Sequence, residues 1–255
     1  MRTLSVIGIG SGDPDHLTIQ AIKAMNKANV FFIVDKGSEK GVLVDVRRDI
    51  CERFMERSDY RFVAIEEAAR ERKPEDYKAE VGHWHAERAE RYAAAIRDNL
   101  GEGECGAFLV WGDPAWYDST IRILDSVLAS GAVAFDYEVI PGIASFQVLA
   151  AKHHLPLNEI GEPVIITTGR RLAEDGIDEG SGNAVVMLDG QCAFQTVPAA
   201  DYEIFWGAYL GMKTEVLRSG PLVDVADDIA KTRDAARAAN GWIMDTYLLR
   251  RIRRD

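Results

Sequence analysis

The stretch Gly106 to Tyr117, GAFLVWGDPAWY, constrains the fold more than any other part of the chain. An apolar run stops at Gly112-Asp113-Pro114 and a helical pattern follows at once. A short apolar run bounded by glycine suits a strand buried on both faces of a parallel sheet. Asp113 is a good N-cap and Pro114 fits the first helical position, where its missing N–H is no loss. The turn is therefore expected at the carboxyl end of a strand, the edge where open α/β sheets bind ligands. The same device opens the chain, where SVIGIG leads into Ser11-Gly12-Asp13-Pro14, and a related one stands at Val139-Ile140-Pro141-Gly142-Ile143-Ala144-Ser145.

Taken in order, residues 3 to 9 read as a strand, Asp15 to Ala28 as a helix and Val30 to Val34 as a strand. That is a βαβ unit. Val42 to Glu56 reads as helical and Tyr60 to Ile65 as extended. Pro74 to Leu100 is expected as a long helix with Tyr77, Val81, Trp84, Ala89, Tyr92 and Ile96 on its core-facing stripe. After the Asp113 turn come a helix through Ile121, Leu124 and Leu128 that Gly131 ends, a strand over Val133 to Ile140, and a helix from Pro141 to Lys152. Beyond Pro156 the pattern changes. Val164 to Thr168, Ala184 to Leu188, Glu203 to Leu210 and Trp242 to Leu249 read as strands, and Val216 opens another. Acidic or glycine-rich loops join them, Leu172 to Gly182 is expected on the surface, and helices are fewer and shorter. The expected architecture is two α/β domains, residues 1–118 with a largely parallel sheet and residues 119–255 with a mixed one.

At 255 residues the chain can bury a sizeable core. Thirty Lys and Arg against 41 Asp and Glu give a net charge of −11, which argues against a nucleic-acid groove. Cys51, Cys105 and Cys192 are far apart and odd in number, so neither a disulfide framework nor a metal site is indicated. No apolar run approaches the roughly 20 residues that span a bilayer, and Met1-Arg2-Thr3 leads straight into a strand. A cytoplasmic protein is the expectation.

Gly8-Ile9-Gly10-Ser11-Gly12 invites a dinucleotide-binding reading, but Asp13 stands where the GxGxxG fingerprint needs glycine. The fingerprint offers backbone N–H groups to a pyrophosphate, which a carboxylate would repel. Two acidic turns at one sheet edge suit a ligand with positive charge and no phosphate, such as S-adenosylmethionine. Both aspartates serve equally well as helix caps.

These residues also carry a resemblance. VIGIGSGDPDHLTIQAIKAMNKANVFF, VWGDPAWYDST and VIPGIASFQVLAA resemble, in order and spacing, segments of the tetrapyrrole methylases, and AVVMLDG and Trp206-Gly207-Ala208 continue the likeness over nearly the whole chain. Within the family, WHAERAERY, FWGAYLGMKTEVL and GWIMDTYLLRR are similar to the deacetylating branch of the corrin pathway. The resemblance implies two α/β domains with the cofactor in the cleft between them, a homodimer, and S-adenosylmethionine as methyl donor. It further implies methylation of precorrin-5 at C1 with release of acetate, giving precorrin-6A. Carried over by motif, the cofactor contacts are Gly10 and Ser11 in the first loop, Trp111, Gly112, Asp113 and Trp116 in the second, Ala144 and Ser145 in the third, and Asp189 and Ala208. Ser11 stands where the family commonly has proline, and Asp189 where it often has methionine. Methylation at another ring position, a nicotinamide-dependent oxidoreductase and a non-catalytic binding module are the alternatives.

Methyl transfer from a sulfonium is an in-line displacement that needs positioning and exclusion of water more than a nucleophilic triad. Deacetylation needs water to attack a ketone, which a general base assists. His85, His83 and Asp118 are the candidates for that base. His83 and His85 point to nearly opposite sides of a helix and cannot share a metal; both also read as solvated surface histidines. His153 and His154 read as a helix end. A precorrin's carboxylates call for local arginines, and Arg170 and Arg171 are the candidate contacts. Trp84, Trp116 and Tyr117 could stack on a flat macrocycle, although aromatic residues at helical spacing also suit a core.

Overall fold

The computed structural model describes residues 1–35, 41–66, 77–177 and 182–252, with backbone alone for residues 35, 41–45, 77–83 and 85. The chain forms two compact units. The first is Met1–Gly10 with Pro14–Ile143, and the second is Ser11–Asp13 with Ala144–Asp255.

The first unit is built on β1 (Arg2–Gly8), β2 (Val30–Asp35), β3 (Arg61–Glu66), β4 (Cys105–Val110) and β5 (Phe135–Ile140). They pair in the order β3-β2-β4-β1-β5, every pair parallel. Apolar runs at β1, β2 and β4 follow from burial on both faces. Leu4, Val6, Phe32, Phe108 and Val110 pack with Tyr92, Ile96, Ile123, Leu124 and Val127 of α3 (Tyr77–Asn99) and α4 (Thr120–Ser130), and with Leu100 just past α3. Their strand neighbours Ile7, Phe31, Ala107 and Leu109 pack with Leu17, Ala21, Met25, Ile50 and Cys51, most of them from α1 (Ile19–Met25) and α2 (Gly41–Phe54). Burial, first of all, pushes the Cys51 thiol up to about 12, so it packs as a small hydrophobe.

Two helix starts differ from the sequence reading. Asp13-Pro14 does not open α1: Pro14–His16 is a single 3-10 turn, and Thr18 caps α1 by accepting the Ala21 N–H at 3.0 Å. Nor does Asp113-Pro114 open α4, which begins at Thr120. The division between units also falls after β5, not at residue 118. β5 pairs along its whole length with β1, Arg2 opposite Phe135 through Ile7 opposite Ile140, which binds α4 and β5 into the first unit.

The second unit has β6 (Val164–Thr168), β7 (Asn183–Met187), β8 (Tyr202–Ala208), β9 (Val216–Pro221) and β10 (Asp245–Arg251), in the order β6-β7-β10-β8-β9. β6 and β7 are parallel and the other pairs antiparallel, the mixed sheet the sequence implied. Its helices are α5 (Ser145–Lys152), α6 (Gly169–Asp175) and α7 (Leu222–Asn240). The last corrects the expectation of short helices, since it runs for 19 residues and buries Leu222, Ile229 and Arg233. α6 occupies the start of the expected acidic loop, of which residues 178–181 lie outside the described residues. No helix among the described residues is long and apolar enough to cross a membrane.

Candidate functional site

Three turns meet at the carboxyl edge of the first sheet. Gly8 of β1 lies opposite Val110 of β4, and two residues further on Gly10 and Gly112 exchange backbone hydrogen bonds of 3.2 and 2.7 Å. A Cβ on Gly142, just past β5, would stand 2.1 Å from the Gly112 carbonyl oxygen and 2.8 Å from Gly8 Cα. Only main chains that carry no side chain can approach so closely. Gly10 has a further reason to be glycine, with φ +79 and His16 Cβ 2.6 Å from where a Cβ would sit.

Asp113 holds this arrangement together. Its Oδ2 accepts the Gly142 N–H at 2.8 Å and its Oδ1 accepts the Ala115 N–H at 2.8 Å. The carboxylate therefore joins the turn after β4 to the turn after β5, and both oxygens are used on main-chain donors. Just ahead of the N-cap Ser119, Asp118 Oδ1 accepts the N–H of Thr120, the first residue of α4, at 2.7 Å. Two guanidinium groups brace the same segment. Arg88 donates to Ser119 Oγ at 3.0 Å and lies over the Trp84 ring, and Arg47 donates to the Leu109 carbonyl at 2.9 Å. Burial draws the Arg47 pKa below its usual value, against the pull of Asp118 and Tyr92. Between the anchors, Trp116 and Tyr117 are 38% and 43% exposed. Tyr117 holds φ +53, a conformation that costs a residue with a Cβ about 1–2 kcal/mol.

Buried polar atoms almost always have a partner, and those without one call for an explanation. In the first unit Trp111 Nε1 and His16 Nδ1 are buried and make no protein hydrogen bond. In the second unit Ser11, 3% exposed, leaves its Oγ in the same state.

The other candidates of the second unit serve its own packing. Ala144 takes the N-cap position of α5, where its N–H meets Gln147 Oε1 at 2.8 Å, and Ser145 Oγ lies 2.9 Å from Thr246 Oγ1. Ala208 is buried at the end of β8. Asp189 Oδ2 accepts from the Ala193 N–H at 2.6 Å and the Tyr247 hydroxyl at 2.7 Å, and Oδ1 accepts the Gln191 N–H at 2.9 Å. Burial, then the Asp189 charge, raises the Tyr247 pKa, so the phenol stays protonated and donates. Arg171 pairs along its own helix with Asp175 at 2.9 Å, and Arg170 is exposed on α6. His153 Nε2 lies 3.1 Å from the Trp206 carbonyl oxygen. The side chains of His83 and His85 lie outside the described residues.

Sequence reasoning missed the buried pair beneath Asp189. Arg233 of α7 meets Asp245 of β10 at 3.0 Å, Trp206 Nε1 donates to the same carboxylate oxygen at 3.0 Å, and Arg233 Nη2 donates to the Asp189 carbonyl at 2.6 Å. One signal was present: an arginine on the apolar helix stripe that carries Leu222 and Ile229, with an aspartate opening the next apolar strand.

The model of the Tetrapyrrole (Corrin/Porphyrin) Methylases matches residues 3–226. A precorrin-6A synthase [deacetylating] of Sinorhizobium sp is 54% identical over 251 residues, covering 98% of this chain and 96% of the relative. Among solved structures, a cobalamin synthesis related protein (CobF) from Corynebacterium diphtheriae is 40% identical with a TM-score of 0.86, over 99% of this chain and all of that one. Uroporphyrin-III C-methyl transferase from Thermus thermophilus complexed with S-adenyl homocysteine has a TM-score of 0.58 over 97% of this chain and 91% of its own; at 16% identity that likeness shows the fold alone. A family match along most of the chain, a relative of more than half identical residues and glycine-lined turns at the carboxyl edge of a parallel sheet agree, and the chain belongs to the tetrapyrrole (corrin/porphyrin) methylase family.

Proposed function

We propose that this chain is an S-adenosylmethionine-dependent C-methyltransferase of corrin biosynthesis, converting precorrin-5 to precorrin-6A with methylation at C1 and release of acetate. The carrying observation is the 54% identity to a deacetylating precorrin-6A synthase over nearly the full length of both chains. The residues suit such a donor. The first unit offers a tight glycine backbone bridge at Gly10 and Gly112 and an indole N–H at Trp111 buried without a protein acceptor. The second unit offers the buried Ser11 hydroxyl. When bound, the donor supplies an electrophilic methyl group. The chain's part is to hold donor and ring carbon in line and keep water from the sulfonium.

In this reading Gly10, Trp111, Gly112 and Trp116 contact the donor and Asp113 fixes the turn that does so. Ser11, Ala144, Ser145 and Ala208 are the further contacts carried over by motif, and within the second unit Asp189 braces the turn after β7. Tyr117 with Trp116 offers a flat apolar face to the macrocycle, and Arg170 offers a cation to one of its carboxylates. Of the residues the sequence offered for assisting deacetylation, Asp118 spends one carboxylate oxygen on the Thr120 N–H, and the His85 side chain lies outside the described residues. The same reading implies a cytoplasmic homodimer, which sedimentation at assay concentration tests.

Incubation with precorrin-5 and methyl-labelled donor should give mass-spectrometric methyl gain together with acetate. Methyl gain without acetate would instead assign methylation at another ring position, and binding of NAD(H) without S-adenosylhomocysteine would remove the methyltransferase reading. Asp113→Ala leaves two backbone N–H groups without their acceptor. It is expected to cost about 2 kcal/mol of stability and at least tenfold in S-adenosylhomocysteine affinity by calorimetry. Unchanged affinity would dissociate the turn from the donor.

A further inference from the structure

The acetate-releasing half of the proposed reaction needs a proton acceptor, and each of the two described rim carboxylates already holds main-chain N–H groups. Asp113 uses both oxygens on the Gly142 and Ala115 N–H groups, and Asp118 uses Oδ1 on the Thr120 N–H. In the second unit His153 is engaged with the Trp206 carbonyl. Among the described residues, His16 is a titratable side chain beside this rim with a buried, unspent nitrogen. His16 closes the 3-10 turn after β1, its Cβ packed against Gly10, and its Nδ1 is buried with no protein hydrogen bond. Gly10 is in turn bonded to Gly112, so the imidazole sits beside the backbone bridge at the carboxyl edge of the sheet.

A buried imidazole nitrogen without a partner costs about 1–3 kcal/mol relative to one that is satisfied. A packing role does not call for it: the adjacent core positions are filled by Leu17 and Ala21, and an apolar side chain at residue 16 would avoid the penalty. Resting on the function proposed above, we infer that His16 is the general base for deacetylation. It takes a proton from a water molecule whose oxygen bonds to the acetyl carbonyl carbon. The bond between that carbon and the ring breaks, its electron pair passes into the conjugated macrocycle, the two-carbon fragment leaves as acetate, and His16 returns its proton to solvent. The step is a hydrolysis and needs no oxidant or reductant.

His16→Ala tests this, because alanine keeps the Cβ that packs on Gly10 and removes only the ring. With precorrin-5 and methyl-labelled donor, acetate release should fall at least 100-fold, within the usual range for loss of a general base. S-adenosylhomocysteine affinity should stay within about threefold of wild type by the same scale of structural neutrality, and added imidazole should restore part of the acetate release. Acetate release near the wild-type rate would overturn the inference. So would a loss that imidazole does not relieve and that is accompanied by loss of S-adenosylhomocysteine binding, since the histidine would then be structural. His16→Gln, which keeps hydrogen bonding without basicity, should match His16→Ala; full activity in it would also overturn the inference. If the wild-type protein itself frees no acetate from precorrin-5, the function reading fails and the inference falls with it.

Discussion

Gly142→Ala is expected to lower stability by about 3 kcal/mol and to abolish measurable S-adenosylhomocysteine binding, the upper end of what overpacking costs. The cause is space, not backbone conformation. The new Cβ would lie 2.1 Å from Gly112 O, 2.8 Å from Gly8 Cα and 2.9 Å from Gly8 C, all main-chain atoms that no rotamer change can clear. Moving Gly112 O aside would break its bond from the Gly10 N–H, and moving Gly142 would break its bond to Asp113. Either displacement opens the rim on which ligand binding is proposed. Gly103→Ala supplies the contrast. Its φ of +82 makes a side chain strained, yet nothing lies within 4 Å of the added Cβ. It should cost about 1 kcal/mol and leave binding unchanged. Thermal melts and titration calorimetry on the two variants separate the effects; equal behaviour would show that the close approach at Gly142 does not govern the rim.

The same rim shows what could be read from the sequence and what could not. The apolar runs at β1, β2 and β4 are legible because each is buried on both sides, so every residue reports burial. The glycines at 8, 10, 112 and 142 flag tight turns in any sequence. The role of Asp113 was misread because Asp-Pro before a helix is a local pattern for a cap, whereas the atom that decides the matter is the Gly142 N–H, 29 residues away. The helix then starts where the next acceptor, Asp118, is available. Asp13-Pro14 misled in the same way, and Thr18 caps α1 instead. The unit boundary escaped notice because the alternation in β5, an edge strand with Asp136, Glu138 and Val139 exposed, says nothing of its partner β1. α7 was missed for a different reason. Arg233 occupies a core-facing position of its stripe, and the aspartate that makes this tolerable lies on another element.

That arginine is where the largest loss of stability is expected. Arg233→Met should destabilise the protein by about 3–5 kcal/mol, the range for removing one partner of a buried ion pair. The side chains of Arg233 and Asp245 are 5% and 4% exposed, so water cannot replace what is lost. Burial works to lower the Arg233 pKa, but Asp245 and its hydrogen bond outweigh it and leave the guanidinium above its usual value, firmly charged. Without it, Asp245 would keep only the Trp206 N–H, and the Asp189 carbonyl would lose its 2.6 Å donor. The damage should therefore spread to the turn that Asp189 braces against Tyr247 and the Ala193 N–H. A paired substitution distinguishes charge from shape. Arg233→Met combined with Asp245→Asn removes both charges, keeps an acceptor for Trp206, and should recover at least half of the loss. Chemical denaturation of the three variants measures this directly. A single Arg233→Met variant that loses less than about 1 kcal/mol, the scale of an exposed pair, would mean that solvent reaches the pair after all.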